Sequence, residues 1–106
     1  MSDWIDVIAY ADLSEGEYAV ADVDGVDVAV FRVEGELYAV EDVCTHDGAE
    51  IASGTLEGFE IICPRHGAKF CLKTGKVTRG PAYEDLACFP VRVENGIVQV
   101  KDERWD

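Results

Sequence analysis

The sequence predicts an all-β fold, and three observations carry that expectation. Glycines and acidic pairs interrupt the chain every eight to twelve residues; the runs between them are short and rich in Val, Ile, Phe and Tyr; and helical periodicity is never sustained. Tyr18–Val23, Val26–Val33 and Leu37–Val40 form the first group of expected strands, with turns at Asp24-Gly25 and Glu34-Gly35-Glu36. Glu57-Gly58 introduces a further run at Phe59–Ile62. Phe89–Val93 and Ile97–Val100 flank Glu94-Asn95-Gly96, the strongest hairpin signal in the chain. Pro90 is expected at a strand start or on an edge, where its missing N–H does no harm. A brief helical turn is expected near Ala11–Gly16, capped by Asp12 or Ser14.

A chain of 106 residues supports one domain, 1–106, with a thin core to which a bound metal group would add stability. There is no repeat, linker or low-complexity tract. Residues 41–82 stand apart: they hold two Cys–His pairs and two of the three prolines, as a loop-rich insert in a β scaffold formed by 1–40 and 83–106.

Net charge excludes some partners. At −13, nucleic acid and anionic membrane surfaces are disfavoured. Residues 1–62 hold sixteen of the 22 acids and one base, Arg32, while 63–106 hold six acids and eight bases. Five bases (Arg65, Lys69, Lys73, Lys76, Arg79) fall in one stretch, either as solvated, locally paired surface or as a pole that steers a protein partner. The start of the chain lacks a basic, apolar secretory signal, and no apolar run is long enough to span a bilayer, so a cytoplasmic protein is expected. In a reducing compartment, cysteines at 44, 63, 71 and 88 are ligands, catalytic thiols or buried apolar residues before they are disulfides.

The chemistry lies in Cys44-Thr45-His46 and Cys63-Pro64-Arg65-His66, with sixteen residues between His46 and Cys63. These are the only two histidines, and each follows a cysteine at ligand spacing. Thiolates favour soft metals and iron–sulfur clusters, and imidazoles suit zinc, iron or copper. A structural Cys₂His₂ zinc site uses the same donors, but its knuckles usually separate their cysteines by two or more residues. A catalytic Cys–His pair would leave the second pair without a role.

Cys44-Thr45-His46-Asp47-Gly48 and Cys63-Pro64-Arg65-His66-Gly67 resemble the two cluster-binding boxes of the Rieske family, C-x-H and C-x-x-H. The resemblance continues in Gly54-Thr55-Leu56-Glu57-Gly58, Phe70, Thr74-Gly75-Lys76 and Gly80-Pro81-Ala82, and spans about residues 38–100. The small ferredoxins that serve bacterial Rieske non-haem iron oxygenases are similar. The resemblance implies an antiparallel β-sandwich scaffold with an inserted cluster-binding subdomain. It also implies one [2Fe–2S] cluster, with Cys44 and Cys63 on one iron and His46 and His66 on the other. Two neutral ligands in place of two thiolates would raise the potential from about −400 mV into a window of about −150 to +300 mV.

High-potential relatives place a serine and a tyrosine two and four residues after the second histidine, and a disulfide between the boxes. Here Ala68 and Phe70 occupy the first two places and Ala49 and Arg65 the others, which implies the low end of the window. Gly80-Pro81-Ala82 would be a third loop shielding the cluster. Cys71 and Cys88 are expected as small buried apolar residues, with a disulfide between them left open; Trp4, Tyr18, Phe31 and Tyr38 are expected in core or edge packing.

The implied role is one-electron transfer between a reductase and a terminal oxygenase, with the histidines as the exit. No histidine remains for a mononuclear iron, so the chain is not expected to be an enzyme. The alternatives are a redox accessory in another pathway, such as iron–sulfur assembly, and a structural zinc module.

Overall fold

A computed structural model of the chain describes residues 4–43, 50–64, 67–80 and 84–101. Among the described residues, eleven strands and one 3-10 turn build three antiparallel sheets. β1 (Trp4–Ala9) pairs with β11 (Ile97–Lys101), which pairs with β10 (Val91–Glu94). β2 (Tyr18–Val23), β3 (Val26–Val33), β4 (Glu36–Glu41) and β9 (Cys88–Phe89) form the second sheet in that order. β5 (Thr55–Glu57), β6 (Glu60–Ile62), β7 (Lys69–Cys71) and β8 (Val77–Arg79) form the third.

The expected hairpins form for the expected reason. Asp24-Gly25, Glu34-Gly35 and Asn95-Gly96 each place two consecutive residues at positive φ (53° and 85°, 53° and 79°, 51° and 78°). Two left-handed residues in succession match the right-handed twist of the flanking strands, and glycine at the second place removes the Cβ clash. Glu15 reinforces the middle turn, its carboxylate accepting from the Glu34 and Gly35 N–H groups.

β3 explains the layering. It is buried along Val28–Phe31, with no polar alternation, because both its faces are covered. Val28 and Val30 join Leu13, Val23, Ala39, Phe89, Val98 and Val100 in one core, between the first and second sheets. Ala29, Phe31 and Val33 join Val40, Ile51, Ile61, Cys63, Ala68, Phe70 and Leu72 in another, between the second and third. The second sheet is therefore the middle layer. Each fully buried Phe or Val contributes on the order of 2 kcal/mol to this arrangement.

Two sequence expectations need correction. The run Phe89–Val93 is not one strand. Pro90 separates β9, which pairs with β4, from β10, which pairs with β11, so the chain changes sheets at the residue that cannot donate to a ladder. The expected capped turn at Ala11–Gly16 is a 3-10 turn at Tyr10–Asp12 without a side-chain cap, and the Ser14 N–H is instead bound by the Glu17 carboxylate. The loop-rich insert carries the third sheet, whose four strands span only three residues each.

Candidate metal centre

Two chain crossings prepare the site. β4 leads through Asp42 and Val43 to the first Cys–His box, and the chain returns at Ile51 and Ala52. Asp42 closes that loop at its base: its Oδ1 accepts from the N–H groups of both Ile51 and Ala52, each at 2.8 Å. The Asp42 N–H is itself tied to the Asp27 carbonyl at 2.8 Å, which anchors the loop base to the second sheet. Gly54 then brings the returning chain against β6. A Cβ at this position would lie 1.9 Å from the Ile62 carbonyl oxygen, so no larger residue fits without movement.

The second box sits on the turn between β6 and β7. The Cys63 N–H donates to the Ala68 carbonyl at 2.7 Å, and the Cys63 carbonyl accepts from the Gly67 N–H at 3.0 Å. Gly67 has φ +76°, a conformation that glycine adopts without strain. Cys63 is 2 % exposed and packs in the same core as Ile51, Ala52, Ala68 and Phe70. Its surroundings are therefore the base of the first loop and the wall of the second. Ala68 and Phe70 are fully buried there, and neither brings a side-chain hydrogen-bond donor.

Of the four ligand candidates, Cys63 is placed as described, while Cys44, His46 and His66 lie outside the described residues. Pro81 and Ala82 of the expected shielding loop, together with Ala49 and Arg65, also lie outside them. Among the described residues no group of three or more His, Cys, Asp or Glu side chains gathers to hold a metal ion. The donor chemistry fits a mixed thiolate–imidazole cluster: Cys63 is a free thiol in a dry, apolar wall at a hydrogen-bonded turn.

The Rieske [2Fe–2S] domain matches residues 3–90. The chain belongs to the Rieske [2Fe–2S] domain family. The ferredoxin component of the naphthalene 1,2-dioxygenase/salicylate 5-hydroxylase systems of Ralstonia sp. is 41 % identical, over 95 % of this chain and 97 % of that protein. The 3-phenylpropionate/cinnamic acid dioxygenase ferredoxin subunit of Escherichia coli K12 is 46 % identical over 81 % of each chain. In a solved complex of reduced oxygenase and oxidised ferredoxin of carbazole 1,9a-dioxygenase, one chain is 38 % identical. It superposes with a TM-score of 0.91, covering 97 % of this chain and 96 % of that one. This Rieske ferredoxin is thus an electron carrier rather than a catalytic subunit, and its cofactor is a Rieske-type [2Fe–2S] cluster with cysteine and histidine ligands.

Other candidates resolve differently. Cys71 and Cys88 are free thiols, each half-buried rather than fully buried. Burial, with Cys71 nearby, pushes the Cys88 thiol up, which keeps it protonated and unreactive. Phe31 is a core residue, Tyr38 meets Phe59 edge-on at 5.8 Å, and Trp4 lies under Arg92, whose guanidinium is 4.2 Å from the ring centroid. Tyr18 is 44 % exposed. The basic stretch is partly used internally: Lys69 pairs with Glu57 at 2.8 Å, and Lys73 Nζ lies 3.8 Å from the Phe59 ring centroid. The local-pairing reading holds for Lys69, while Lys73 is engaged by an aromatic face instead. Sequence reasoning missed Asp42, whose only signal was an acid two residues before the first box.

Proposed function

We propose that Cys44 and Cys63 supply the thiolates and His46 and His66 the imidazoles of the cluster. The ferredoxin then passes single electrons from a reductase to a terminal oxygenase of the aromatic-ring type named for its relatives. The observation that carries this reading is Cys63, a buried thiol on the β6–β7 turn against the base of the first-box loop. The bound cluster supplies a one-electron store whose charge the protein must accommodate. Asp42 and Gly54 fix one loop and the Cys63–Ala68 turn fixes the other, so that both boxes stand on tied backbone. Core packing by Phe70, Ala68 and Ile51 excludes water from the Cys63 side.

With Ala68 and Phe70 offering no side-chain donor, a midpoint potential at the low end of about −150 to +300 mV is proposed. The whole chain is proposed to act as one domain, in the cytoplasm; among the described residues no helix is long and apolar enough to cross a membrane.

Anaerobic purification with visible and EPR spectra tests the ligand set. A coloured protein with a reduced-state EPR signal is expected, and Cys44→Ser is expected to abolish the cluster. His46→Cys or His66→Cys is expected to lower the potential wherever the cluster survives. A colourless, iron-free protein, or a midpoint well above about +100 mV, contradicts the reading.

A further inference from the structure

The large apolar side chains most exposed among the described residues are Tyr18, Val20 and Val93. Two of the three are neighbours on one face of β2, each 44 % exposed. β2 is the edge of the middle sheet, with no strand paired to its outer side among the described residues. Its cross-strand partners on that face, Phe31 opposite Tyr18 and Ala29 opposite Val20, are fully buried. The face that packs against the third sheet therefore runs out uncovered at β2. Tyr18 is held in place there by the Phe31 ring, centroid to centroid 5.8 Å.

Both ends of this apolar strip are acidic. Beside Tyr18 is a cavity of about 310 Å³ lined by Ile8, Asp12, Leu13, Gly16, Glu17 and Tyr18, which opens toward the other face of β2, where Ile8 and Leu13 join the core against the first sheet. Leu13 is buried there, and Asp12 and Glu17 are exposed. Glu17 is fixed by accepting the Ser14 N–H at 2.8 Å. The neighbouring cation, Arg32, is turned inward, donating to the Leu13 carbonyl at 2.8 Å and lying 4.5 Å from the Tyr10 ring centroid. At the other end, Asp22, whose Oδ1 accepts from the Gly25 N–H at 2.8 Å, stands directly opposite Asp27 on the same face as Tyr18 and Val20. Like charges directly opposite one another destabilise an isolated sheet, and an external cation relieves them. Tyr18 and Asp22 are about 13 Å apart along the strand.

We propose that the outer edge of β2 seats an extended segment of a partner protein that carries a Lys or Arg at each end of a short apolar run. One basic side chain would lay its stem on Ile8 and Leu13 and its charge between Asp12 and Glu17, and the other would meet Asp22 and Asp27. A second copy of this chain does not fit, because it would set carboxylates against carboxylates on a protein of net charge −13. The seat lies on the flank of the molecule and is independent of the ligand assignment above.

The probe is the synthetic peptide Ac-KVTVTK-NH2, whose valines and second lysine share one face while the first lysine takes the other, with Ac-EVTVTE-NH2 as control, titrated into the oxidised, ¹⁵N-labelled holoprotein. Saturable shifts confined to β2 and residues 12–17 are expected with the basic peptide and none with the acidic one. Asp22→Asn and Glu17→Gln are each expected to weaken binding by about fivefold, the worth of an exposed charge pair. Glu17→Gln keeps an oxygen for the Ser14 N–H, and an unchanged visible spectrum reports that each variant is folded. Val20→Lys is expected to abolish binding. Absence of saturable shifts, shifts centred elsewhere, equal response to both peptides, or concentration-dependent self-association through β2 overturns the proposal.

Discussion

Asp42 shows how much one side chain contributes outside the ligand set. A single oxygen holds two backbone N–H groups of the first-box loop. Asp42→Ala would leave both donors without this partner, a loss of about 2–3 kcal/mol in chemical denaturation. It should also lower cluster occupancy in iron analysis, whereas Asp42→Asn retains one acceptor and should fall between. Carboxylates also set the acid limb of stability. Backbone N–H groups of Gly35 and Glu34 hold Glu15 below the ordinary carboxylate range, and Lys69 does the same for Glu57. A carboxyl whose pKa is lower folded than unfolded contributes stability above its unfolded value and loses it as pH falls through the folded one. Both groups are solvent-exposed, so each contribution is small. In pH-dependent unfolding, Glu15→Gln should flatten the loss of stability that begins as pH drops into the carboxylate range.

Among elements, the turns were legible and the short strands were not. Asp24-Gly25, Glu34-Gly35 and Asn95-Gly96 announce themselves because a left-handed pair leaves few residue choices. Both β2 and β3 begin and end where the apolar runs do. By contrast, β5, β7 and β8 span three residues each, too few for an alternation to emerge, and they exist because neighbouring strands satisfy them. Pro90 was expected at a strand start or on an edge and does stand immediately before β10, yet the strands on either side of it belong to different sheets, a fact that local sequence does not contain. Cys63 was singled out by its spacing to the histidine that follows it, and it lies on the β6–β7 turn, while the Gly54 contact with Ile62 depends on tertiary approach. Gly54→Ala tests that approach. Crowding the Ile62 carbonyl should cost about 1–3 kcal/mol in denaturant titration and loosen the first-box loop, seen as faster cluster loss on dilution. Ala at Gly96 should cost about 1 kcal/mol with no effect on the cluster.

For the whole molecule, charge is the leading property. Two bases of the 65–79 stretch, Lys69 and Lys73, are engaged by Glu57 and the Phe59 ring, and at a net charge of −13 the acidic surface dominates what an approaching protein meets. The rate of electron delivery should therefore fall as ionic strength rises, measured by stopped-flow with reductase or oxygenase; a flat profile would remove electrostatic steering from the account.

The placement of β3 has one more consequence. Val30 belongs to one core and Phe31, the next residue, to the other, so neither half of the protein can melt while its neighbour stays intact. A protein that gains and loses an electron at every turnover thus has no separately yielding compartment in which to absorb the change. Its slowest-exchanging amides should lie along β3, and their protection should collapse in a single step together with the cofactor's colour.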